Sequence, residues 1–202
     1  MKKDKRGKLA GNWKHEFAEI FNESWSYVAE QKRYIYAVAL IFAASAIIGF
    51  VFAGQLTFLD DIIKGIIEQT RDLDYIEMIW FIFSNNVTSS LFALFLGLFF
   101  GVFPIFNAFF NGTLLGYVYS KAIVFEGYLV IWRLFPHGIL ELPAVFISLG
   151  LGVHLGAALF GKNKRETLIT RSKKSLRVFL SVIVPLLILA ALIESTFIFF
   201  AG

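Results

Sequence analysis

Pro136-His137-Gly138-Ile139-Leu140-Glu141-Leu142-Pro143 sets an imidazole and a carboxylate four residues apart, inside an apolar stretch long enough to cross a bilayer. Residues four apart on a helix share a face, so His137 and Glu141 form a pair. An imidazole and a carboxylate can ligate a metal, relay a proton or hydrogen-bond a neighbouring helix. Ionisable groups in hydrocarbon are expensive and point to a functional site. His-x-x-x-Glu does not by itself specify a metal, because catalytic zinc takes three protein ligands. A buried structural pair, a path for protons, ions or solutes, and metal binding or catalysis therefore all stay open. Pro136 suits the first turn of a helix, where its missing N–H costs nothing. Pro143 cannot donate to Ile139, which predicts a kink beside Glu141.

The elements that hold this pair are membrane helices. Hydrophobic residues make up 57% of the chain and charged ones 17%, where a soluble domain has about 25% charged. The apolar residues come in blocks near the ~20 residues one spanning helix needs, too long and continuous for barrel strands. The fold class is all-α: a polytopic transmembrane helix bundle of about five spans with amphipathic interfacial helices, in the cell (cytoplasmic) membrane. With no cysteine, disulfides and thiolate metal sites are excluded. The polar N-terminal segment is too long for the n-region of a cleavable signal, so the first span is expected to remain as an anchor.

Two parts are expected: a cytosolic segment, 1–33, and a transmembrane domain, 34–202, with spans near 34–54, 80–102, 104–124, 136–160 and 177–200. From Met78 to Ser120 there is no charge, which is enough for two spans, and a turn is expected around Gly101 to Asn107 with Pro104 opening the next helix. The stretch 161–175 reads as a polar loop. Trp13, Phe17, Ile20, Phe21, Trp25 and Val28 recur at helical spacing, which predicts an amphipathic helix on the membrane surface or on the protein's own cytosolic face. Leu59, Ile62, Ile63, Ile66 and Ile67 predict an external amphipathic helix over 57–72. Lysines and arginines crowd the segment before span one and the stretch between spans four and five. Both lie on one side of a five-span chain, so the N-terminus is expected inside and the C-terminus outside. The net charge of +4 is a topology signal and implies no nucleic-acid partner.

That topology brings His137, Glu141, Asn85, Asn86 and Glu194 to one layer in the outer half of the membrane, a polar site of three spans. His154 reads as a lone interfacial histidine. Asn107 and Asn111 are again four apart. The pairs Gly97 and Gly101, Gly112 and Gly116, and Gly152 and Gly156 fit a small-x-x-x-small pattern that lets helix backbones approach. They predict tight packing within the bundle or across a dimer, and a homodimer is expected. Pro136, Gly138 and Pro143 join these as packing and turn residues. No phosphate-binding loop, dinucleotide fingerprint, nucleophile elbow or zincin motif occurs. No residue is assigned a catalytic role and no cofactor is expected.

Asn85-Asn86, Asn111-Gly112 with Gly116, Pro136-His137-Gly138-x-x-Glu141 with Pro143, and Gly150-x-Gly152 resemble the stage II sporulation protein M family over about 85–161. The resemblance implies an integral membrane protein similar in role to a scaffold, which in spore formers recruits a peptidoglycan-degrading complex during engulfment. Relatives occur widely in organisms that do not sporulate. It implies no catalytic residues. The partners expected are the bilayer, a second copy, and membrane or envelope proteins.

Overall fold

The computed structural model describes residues 5–128 and 130–200; the side chains of 5–14, 126, 130–137, 139 and 140 lie outside the described part. The chain is helical, with no strand among the described residues. The helices are α1 (Lys5–Glu30), α2 (Lys32–Val51), α3 (Leu59–Thr70), α4 (Tyr75–Phe95), α5 (Val102–Glu126), α6 (Val130–Gly156), α7 (Lys164–Val178) and α8 (Val184–Phe200).

Local chemistry accounts for several boundaries. α4 opens at Tyr75, ahead of the expected span start, because Asp74 and Glu77 form a capping box: Glu77 N–H donates to Asp74 Oδ1 at 2.8 Å, and Asp74 N–H donates to Glu77 Oε2 at 2.9 Å. A short 3₁₀ turn, Leu96–Leu98, closes it. Gly101 then caps α5 at φ +71°, a left-handed conformation that favours glycine. Gly127, at φ +78°, ends α5.

The stretch expected to be a polar loop is α7. Its lysines, arginines, glutamate and leucines are good helix formers with no glycine or proline among them. One face of α7 buries Ser175 and Val178, so packing and propensity agree. A π-turn, Phe179–Ile183, joins α7 to α8 without a break. Pro185 has no N–H for the Ser181 carbonyl, and such a gap in the ladder is relieved by a wider turn.

α6 is the central helix, packed against α2, α4, α5 and α8. Its Glu141–Phe160 stretch is 61% buried, against 22% for Lys32–Val51. Ala144, Ile147 and Leu151 of α6 meet Leu94, Ile183 and Leu187 on one side; Leu149 meets Val38, Phe42 and Ala108 on the other. Around this core the surface is apolar: Leu40, Ile47 and Trp80 are each at least 67% exposed. Water would not tolerate so much exposed hydrocarbon; lipid does.

Among the described residues, four stretches are long and apolar enough to cross a membrane: Lys32–Val51, Tyr75–Leu98, Glu141–Phe160 and Lys164–Phe200. α5 is as long but carries Asn107, Asn111 and Lys121, and it is not among the four.

Candidate functional site

Glu141 and Asn86 are buried, at 8% and 9% exposure, on α6 and α4. Glu194 is half-buried on α8. These three helices pack on one another, and two side-chain contacts set their register. Ser148 Oγ donates to the Ser90 carbonyl at 2.6 Å, joining α6 to α4 beyond Glu141 and Asn86. Tyr75 Oη lies 3.0 Å from Thr196 Oγ1, joining α4 to α8 beside Glu194.

Asn85 departs from the expected grouping. One residue along a helix is a turn of about 100°, so with Asn86 facing in, Asn85 faces out and is exposed. His137 lies on α6 with a helical backbone, but its side chain, like that of Pro136, is outside the described part. Pro136 was expected to open a helix. α6 instead starts at Val130, after Gly127, so Pro136 is interior, and the helix runs unbroken through Pro143. Among the described residues, a methyl added to Gly138 would meet only Leu142 Cδ1, at 3.5 Å. Among the described residues, no group of three histidine or acidic side chains could hold a metal.

The paired glycines act inside the bundle. A methyl on Gly112 would strike Ser45 Oγ and the Phe42 carbonyl, and one on Gly116 would strike the Ala46 carbonyl. Gly49 of α2 answers them by lying against the backbone of Thr113. Gly97 and Gly101 sit in the same way against Gly152 and Gly156, which locks the α4–α5 turn onto the end of α6. On α5, Asn111 Nδ2 donates to the Asn107 carbonyl at 3.0 Å and to Asn107 Oδ1 at 3.1 Å, so this pair is satisfied along its own helix.

Sequence reading missed two polar assemblies. At one end of the bundle, Tyr117 is fully buried and its hydroxyl donates to Asp60 Oδ1 at 2.6 Å, with Lys121 Nζ 3.8 Å from Asp60 Oδ2. This clamp ties α3 to α5. At the other end, His154 is not a lone interfacial side chain: it is 6% exposed, its Nδ1 lies 3.3 Å from Tyr27 Oη, and its ring is 5.1 Å from that of Tyr34. Arg171 donates to the His154 carbonyl. Ser181 Oγ donates to Ser24 Oγ at 2.8 Å, and Arg177 pairs with Glu23, so α1 rests on α7 and the π-turn. The signals lay far apart in sequence, and no local spacing joined them.

The chain is 30% identical over 185 residues to an uncharacterised protein of Methanocaldococcus jannaschii, with 83% of this chain and 82% of the relative covered. No solved structure matches the chain. The family model for stage II sporulation protein M matches residues 38–197, and the chain belongs to that family.

Proposed function

We propose that this protein is a non-enzymatic membrane scaffold, an assembly factor for envelope or membrane-remodelling partners. One contrast carries the reading. The ionisable and amide groups Glu141 and Asn86 are packed between helices, whereas the surface helices leave apolar faces open. On α1, Phe17 is 56% exposed and Trp25 40%; on α3, Ile66 and Ile67 are exposed. Such faces beside a membrane are contact surfaces. The chain crosses the cell membrane five times, with α1 inside, α3 outside and the C-terminus outside, and it works as a homodimer with lateral protein partners. Crosslinking in membranes is expected to recover a stable heterologous partner that is lost when Phe17 and Phe21 are replaced by serine. Recovery of the protein alone, with those substitutions silent, would falsify the scaffold reading.

A second reading follows from Glu141, a buried carboxylate in a membrane-length helix. Such groups mark ion and proton pathways. It predicts flux in proteoliposomes that falls when Glu141 is changed to Gln. No flux at any pH or ion gradient removes it.

A further inference from the structure

A cavity of about 450 Å³ opens between the last turn of α1, the end of α6 and one face of α7. Its floor is polar and buried: His154, with Tyr27 at 7% exposure. Burial raises the pKa of the Tyr27 phenol, so it stays an O–H donor. Arg171 is half-buried, and after bonding the His154 carbonyl its guanidinium keeps N–H groups to spare. Lys174 stands at the rim, its Nζ 5.2 Å from the Tyr27 ring centre. Thr167 and Thr170 add hydroxyls.

Glu30 of α1 and Glu166 of α7 line the same cavity. Among the described residues no ion pair within 4.0 Å joins either cation to either carboxylate. The four charges sum to zero yet do not cancel by contact. A bare polyanion drawn in by Arg171 and Lys174 would also face two carboxylates. A ligand that carries both a phosphate and an ammonium meets a partner for each. His154 lies in the last third of the apolar Glu141–Phe160 stretch and faces the basic helix α7, which puts the cavity toward the membrane's edge, within reach of lipid headgroups.

We propose that this cavity binds a phosphoethanolamine-type zwitterion, its phosphate held by Arg171 and Lys174 and its ammonium by Glu30 and Glu166. The group is carried either by a membrane lipid or by a soluble phosphoester. Charge-assisted hydrogen bonds of both signs give such a site its selectivity.

The test is calorimetric titration of the full chain in uncharged detergent. Three probes are used: short-chain phosphatidylethanolamine, phosphatidylglycerol of the same chain length, and free O-phosphoethanolamine. Phosphatidylethanolamine is expected to bind saturably and at least tenfold more tightly than phosphatidylglycerol. Lys174→Gln is expected to weaken it about tenfold, and Glu30→Gln to erase the preference between the two lipids. Both positions are exposed, so neither change threatens the fold. Binding of free O-phosphoethanolamine as tight as that of the lipid supports the site with a soluble ligand; binding of the lipid alone supports it with a membrane one. Equal affinity for the two lipids, no saturable binding, or unchanged affinity in both variants would overturn the proposal.

Discussion

Gly116 and Gly65 show how little residue type says without its surroundings. A methyl on Gly116 runs into the Ala46 carbonyl, a backbone atom that cannot step aside, while one on Gly65 meets nothing within 4 Å. Overpacking costs about 1–3 kcal/mol, so Gly116→Val is expected to lower the thermal midpoint in detergent by several degrees. Gly65→Ala, in the middle of α3, is expected to raise stability by roughly 0.5–1 kcal/mol. A scan that ranks the two variants the other way would contradict the α2–α5 packing. Tyr117→Phe removes the hydroxyl that bonds Asp60. Its cost is about 1 kcal/mol, and faster amide exchange over Leu59–Thr70 is the expected signature. The pattern of glycines four apart was visible in the chain; which helix each pair met was not, because Ser45, Ala46 and Gly49 show no glycine repeat.

At the scale of elements, apolar runs found long apolar helices and amphipathic stripes found α1 and α3, since burial in lipid or at an interface leaves a trace in the sequence. α7 was misread because a charged stretch between two apolar ones resembles a linker. Its helix is held by what it packs on: Ser175 and Val178 turn inward, and α1 lies across the π-turn through Ser24 and Ser181. Ser24→Leu is expected to lift α1 from that seat, since both Ser24 and its partner Ser181 are buried. Limited proteolysis should then cut within Lys5–Glu30 while α2 to α8 stay protected; an unchanged digest would show that the seat does not depend on Ser24. The start of α6 was misplaced for a related reason. Pro136 is a strong local start signal, but the glycine that ends α5 is Gly127, and the mostly apolar run from Val130 to Phe135 already belongs to α6.

For the whole molecule, the chain has no cysteine, so single cysteines report topology without background. Lys173→Cys is expected to label with a membrane-impermeant maleimide only when the cytoplasmic face is open. Glu68→Cys is expected to label from outside. The same accessibility for both would rule out the five-span arrangement. Membrane class, helical fold and family were determined by the sequence itself, because hydrophobicity per residue and short motifs are properties of the chain before it folds. The proximity of His154 to Tyr27, of Asp60 to Tyr117 and of Gly97 to Gly152 was decided only by tertiary packing. Each joins segments more than fifty residues apart, and such contacts depend on which faces the helices turn to one another, a choice settled by the fit of side chains and backbones that no single segment encodes.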